Sequence, residues 1–120
     1  MKPYQDARVE GEKLAKQYAD LEQADQVDFY NGLEGYYSVL GHNKKQEAIA
    51  VLIEKNEHKI YVYQLDKGIS QDKAATISRE KGASDIDKVT FGRYQDKPIW
   101  EVKSGNQYYL VDFETGAVIQ

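Results

Sequence analysis

The chain contains no cysteine, which excludes disulfides, thiolate nucleophiles and cysteine-ligated metal. That absence does not fix the compartment. No run of 18 apolar residues occurs, so no segment of this sequence spans a bilayer as a helix, and no secretory signal is visible. Positive charge is the minority sign: lysine plus arginine is 16 against 20 aspartate plus glutamate, a net charge of −4. A mildly acidic chain has no long-range attraction for phosphate backbones, which argues against nucleic acid as a partner. The serines form no Gly-x-Ser-x-Gly elbow. Gly32, Gly35, Gly41, Gly82, Gly92, Gly105 and Gly116 are scattered one per turn, and none builds a phosphate cradle.

What is present is a foldable pattern. At 120 residues the chain is one ordinary domain or two very small ones. Ten tyrosines against three phenylalanines suit half-wet sheet faces, where the ring packs and the hydroxyl meets water. Tyr4, Ala7, Gly11, Leu14, Tyr18 and Leu21 recur at spacings of three and four, the stripe of one helix. Gly11 within it costs about 1 kcal/mol relative to alanine. Strand-like runs follow at 26–30, 35–41, 47–54 and 59–65, with Asn31-Gly32 a hairpin signal. Both alternating faces of "AIAVLI" are apolar, as in a central strand covered on both sides.

The pattern then restarts. Ser70 is placed to cap a helix, Ala74, Ile77 and Ser78 give it a small buried face, and Gly82 stops it. Strands are expected at 88–94, 97–104, 107–113 and 117–120, with Trp100 and Val102 on a core face and Ile99, Glu101 and Lys103 on a wet one. The halves align: Glu12-Lys13 and Asp72-Lys73 are 60 positions apart, Val27-x-Phe29 and Val89-x-Phe91 are 62 apart. This order predicts an α+β protein with two tandem units, 1–66 and 67–120, each one helix on a three- or four-stranded antiparallel sheet. Units of this size are marginal alone, so they are expected to pack together or to be joined rigidly.

Candidate chemistry is sparse. His42 and His58 fall in predicted turns without a partner at ligand spacing, and solvated turn residues is the stronger reading. The acidic pairs Asp85/Asp87, Glu54/Glu57 and Asp112/Glu114 sit at strand ends and read as surface charge, because catalytic carboxylates need a dry pocket. No catalytic, cofactor-binding or metal residue is assigned, and no enzyme is expected. Tyr30, Tyr36, Tyr37, Tyr61, Tyr63, Tyr94, Tyr108 and Tyr109 lie on predicted strands. They read first as strand formers at the rim of a small core, and second as a face that docks a partner.

The second half resembles a PepSY domain. The residues that carry the likeness are a capped helix, "PIWEVKS", and the terminal pattern Tyr109, Val111, Asp112, Thr115, Gly116 and Val118. Asp112 and Thr115 are expected to bond backbone groups within a turn, with Gly116 at positive φ and Trp100 beneath the helix. With a first unit of the same order, carried by "DQVDFYNGLEGYYSVLG", the whole chain resembles the YpmB/TseB-like family of cell-wall elongation regulators. That resemblance implies two cystatin-like units outside a Gram-positive cell, held by an N-terminal membrane helix expected upstream of Met1. It implies no cofactor, no catalytic motif, and contact with a penicillin-binding protein of the elongation machinery. A peptidase-regulating module is the alternative that the PepSY likeness leaves open.

Overall fold

A computed structural model describes residues 3–32, 34–57 and 59–119, the first six of them as backbone alone. The chain is α+β and divides into two compact units, Met1–Gln64 and Leu65–Gln120.

In the first unit, α1 (Pro3–Tyr18) precedes β1 (Leu21–Asn31), β2 (Gly35–Asn43), β3 (Ala48–Glu54) and β4 (Ile60–Gln64), an antiparallel meander in sequence order. α1 packs on β1, β2 and β3. Its buried contribution is small residues: Gly11 is buried and Ala15 is fully so. A Cβ on Gly11 would stand 3.1 Å from the Tyr37 Cβ, so the glycine that weakens the helix also lets it lie close to the sheet. Beneath are Val27, Tyr37, Val39, Ile49, Val51 and Ile53.

The helical stripe inferred from sequence runs too far. Tyr18 is exposed, and Leu21 is buried as the first residue of β1. The break is Asp20, whose φ of 59° turns the chain out of the helix. Leu21 still joins the cluster around Ala15, so the spacing found a buried residue but assigned it to the wrong element. β1 consequently starts well before residue 26. Its register shifts between Leu21 and Gln23 and again between Ala24 and Gln26, and both irregularities lie in the polar stretch where alternation was hard to see. β3 is buried on both faces, Ile49 to Ile53 without a break, as its continuous apolar run requires.

In the second unit a short 3-10 turn (Leu65–Lys67) leads to α2 (Gln71–Glu80), β5 (Lys88–Tyr94), β6 (Lys97–Ser104) and β7 (Gln107–Asp112). The Ser70 hydroxyl accepts the Lys73 N–H at 3.0 Å. The helix closes with Gly82 at φ 115°, the Gly82 N–H on Arg79 O and the Ala83 N–H on Ser78 O, a Schellman ending. α2 lays Ala74, Ala75 and Ser78 on a three-stranded antiparallel sheet. Trp100 fills the space between, its ring edge-on to Phe91 at 4.9 Å, with Phe113 5.2 Å from Phe91. Burying one such ring contributes on the order of 2–3 kcal/mol.

Two expectations fail here. Ile99 is fully buried and does not face water, because its register partners Gly92 and Asp112 are themselves buried. Only further along does that face open, through half-buried Glu101 to exposed Lys103. The last segment is not a full strand: Val118 forms a single bridge to Val111.

Candidate functional site

Within each unit, the described ionisable residues singled out in the sequence form no metal-holding cluster. His42 is not a turn residue but lies in β2, with Nδ1 2.9 Å from Asp25 Oδ2 on β1. The reason is the bulged start of β1, which brings Asp25 alongside. His58 lies outside the described residues. Among the described residues no three histidine or acidic side chains are grouped to hold a metal.

Two of the carboxylates read as surface charge are buried. Asp112 is 6% exposed and builds a turn: its Oδ1 accepts the Glu114 N–H at 2.8 Å and the Thr115 N–H at 3.0 Å. Thr115 Oγ1 accepts the Ala117 N–H, and Gly116 sits at φ 80°. The residues of the terminal pattern thus make the hydrogen bonds that it implied. Glu54 is 5% exposed at the end of β3. A hydrogen bond with the Glu34 side chain, then burial, then the charges of Glu34 and Glu57 hold its carboxyl above the usual range, with Lys59 opposing. Glu34 also accepts the Tyr36 hydroxyl at 3.1 Å. The remaining members of those pairs, Asp85, Asp87, Glu57 and Glu114, are exposed as expected.

The tyrosines divide. Tyr30, Tyr36 and Tyr37 are buried, Tyr61, Tyr63, Tyr94 and Tyr109 half-buried, and Tyr108 exposed. The aromatic that sequence reasoning missed is Phe29, 40% exposed on β1. In the sequence it stands out only as half of the Val27-x-Phe29 pair that marks the repeat. The ring is held in position: it stands edge-on to Tyr37 at 5.7 Å, and Lys55 Nζ lies 5.6 Å from its centroid. Gly35, its diagonal neighbour, has no side chain to compete, and a Cβ there would stand 2.7 Å from the ring. A fixed, exposed aromatic on a sheet rim is suited to burying area against another macromolecule.

The family described as "Cell wall elongation regulator TseB-like domain" matches residues 10–54, which span most of α1 and all of β1, β2 and β3. The chain is 39% identical over 114 residues to a "Probable cell wall elongation regulator TseB" of Bacillus subtilis (strain 168), covering 88% of this chain and 70% of the relative. It also superposes on the structure of "YpmB protein from Bacillus subtilis" with a TM-score of 0.76 at 34% identity, over 100% of this chain and 96% of the other. A fold, an order of elements and a level of identity that agree across almost the whole length leave one assignment: the chain belongs to the TseB-like family of cell wall elongation regulators.

Proposed function

We propose that this chain regulates cell-wall elongation by non-catalytic contact with a penicillin-binding protein of the elongation machinery. The observation that carries the reading is 39% identity, over 114 residues, to a curated regulator of that process. In this reading residues 1–66 are the TseB-like cystatin-like unit and 67–120 a PepSY domain, the latter supported by the Asp112–Thr115–Gly116 turn. The units work on the outer face of the membrane, carried by an N-terminal anchor upstream of Met1. Among the described residues no helix is long and apolar enough to cross a bilayer. The fixed, exposed ring of Phe29 supports action by contact.

The test is affinity purification of the tagged, membrane-borne protein from solubilised Gram-positive membranes, with penicillin-binding proteins detected by a fluorescent β-lactam. Enrichment of an elongation-phase penicillin-binding protein by direct, saturable binding is the expected result. Enrichment of a peptidase with no β-lactam-labelled band would replace this reading with the peptidase-regulating one.

A further inference from the structure

The Phe29–Tyr37 pair of the first unit has a counterpart in the second, Phe91–Trp100. Both pair a β-strand phenylalanine with an aromatic directly opposite on the next strand, and both are edge-on, at 5.7 Å and 71° and at 4.9 Å and 85°. In the second unit the chain closes the pair itself: Phe113 stands 5.2 Å from Phe91, which is fully buried. In the first unit, among the described residues, no further aromatic side chain reaches Phe29, and its ring is 40% exposed. The seat that Phe113 fills in the second unit is met in the first only by the Lys55 ammonium, 5.6 Å from the Phe29 centroid, which leaves the ring partly exposed.

Among the described residues no strand pairs with the backbone on the outer side of Phe29. β1 is the terminal strand of its sheet. The Gly35 carbonyl accepts the Lys55 N–H, and Tyr37 and Val39 lie in register with Ile53 and Val51. Odd-numbered residues of β2 therefore bond toward β3 and even-numbered ones toward β1, since antiparallel strands alternate. Tyr36, Ser38 and Leu40 face Tyr30, Asp28 and Gln26. This turns the N–H and C=O groups of Val27, Phe29 and Asn31 outward.

Edges of this kind are normally guarded by bulges, lysine or proline. The bulges of β1 guard only its first half; from Gln26 to Asn31 the register is regular and the sequence holds no lysine, arginine or proline. Elsewhere the edges differ. β5 carries Lys88 and Arg93. In the second half of β7 two outward groups are taken, Asp112 N–H by Ala117 O and Leu110 O by the Ile119 N–H. β4 is five residues long, has no exposed aromatic, and lies outside the span matched by the family.

Charge selects the occupant. β1 carries Glu22, Asp25 and Asp28 and no basic residue. Although His42 lies on Asp25 and Lys55 over the Phe29 ring, Asp28 is the one charged residue of Val27–Asn31. A second copy would therefore bring acidic residues together with no basic strand residue to pair them, which is destabilising. We propose that Val27–Asn31 of β1 is a strand-addition site for an extended segment of a partner protein in which lysine or arginine alternates with apolar residues. Phe29 is its apolar anchor. Main-chain bonds supply affinity and the alternating side chains supply selection. The inference rests on the reading that this protein works by protein contact.

The test titrates the whole isotope-labelled chain with an eight-residue peptide alternating lysine and valine, and with its glutamate–valine counterpart. Amide shifts that saturate at Val27, Phe29 and Asn31 with the lysine peptide, weaken with salt, and are at least tenfold weaker with the glutamate peptide are expected. Phe29→Lys, a surface change that leaves the remaining spectrum folded, lowers the affinity at least tenfold, while Val62→Lys on β4 does not. Shifts centred on another edge, no shift in β1 at millimolar peptide, or equal response to both peptides would overturn the site. A second arm separates the two claims. If the wild-type chain binds the purified penicillin-binding protein and Phe29→Lys binds it equally, the edge assignment falls and contact stands. If the peptide arm succeeds but the penicillin-binding protein does not bind, the edge stands and the functional reading falls.

Discussion

The Trp100 indole N–H donates to the carbonyl oxygen of Ile69 at 3.0 Å, while the Ile69 N–H donates to Phe113 O at 2.8 Å. Both backbone groups of the residue that precedes the Ser70 cap are therefore held by the aromatic core of the second unit. The tryptophan is a packing residue and, through one bond, a device that fixes where α2 begins.

Trp100→Phe keeps most of the ring volume but removes the donor. Leaving the Ile69 carbonyl without its partner costs about 1–3 kcal/mol, and the unfilled part of the indole site adds to it. Trp100→Ala is expected to cost about 3–5 kcal/mol. Urea unfolding followed by far-UV circular dichroism reads both. If Trp100→Phe unfolds at the wild-type midpoint, the Ile69 bond carries no weight.

The two hairpin turns of the second unit differ in how well their residues suit them. Ser104 pairs with Gln107 across Gly105-Asn106, and positive φ falls on Gly105 alone, 63°, the position where such a turn wants glycine. Tyr94 pairs with Lys97 across Gln95-Asp96, and both central residues are left-handed, at φ 51° and 65°. Neither is glycine, and left-handed backbone costs an ordinary residue roughly 1–2 kcal/mol. Asp96→Gly is expected to raise stability by about 0.5–1 kcal/mol after the added freedom of the unfolded chain is counted. Gly105→Ala is expected to lower it by a similar amount through φ alone, since no atom lies within 4 Å of the new methyl. Thermal unfolding of the pair decides it; shifts of the same sign would refute the turn argument.

The sequence exposed the local rules better than the tertiary ones. Ser70, Gly82 and the Asp112–Gly116 turn were legible because each depends on residues within five positions of itself. The continuous run of β3 declared its burial. The expectations for Ile99 and Glu54 fail because alternation gives the face a side chain takes, not how far along the strand that face is covered. The start of β1 was hidden for a different reason. Its polar residues carry no alternation, and its two irregularities depend on close approach to β2.

That close approach makes Gly41 sensitive. It pairs with Ala24 between the two irregularities, and a Cβ there would collide with the Gln23 carbonyl oxygen and press on Leu21. Backbone cannot step aside as a flexible side chain can. Gly41→Ala is expected to cost at least the 1–3 kcal/mol of ordinary overpacking. It should also shift the amide resonances of Leu21 to Gln26. An unchanged spectrum in that stretch would show that the glycine is not what permits the irregular register.

Glu54 makes the stability of the first unit depend on pH. Its carboxyl is held above the ordinary value of 4.5, first by the hydrogen bond with Glu34, then by burial, then by the charges of Glu34 and Glu57. A raised folded-state value means the folded chain binds the proton more tightly than the unfolded chain does. The stabilisation is complete below 4.5 and is lost as pH rises through the folded-state value. Glu101 has the same sign, raised by burial and opposed by Lys88. Glu54→Gln keeps a hydrogen-bond donor toward Glu34 and cannot ionise. Its stability relative to the wild type should therefore rise steadily from pH 4.5 towards neutrality, and the wild-type decline over that range should flatten. Urea midpoints for both proteins at half-unit pH steps give the answer. Parallel curves would mean that the buried carboxyl titrates alike in the folded and unfolded chain, and the Glu34–Glu54 hydrogen bond would not be holding a proton.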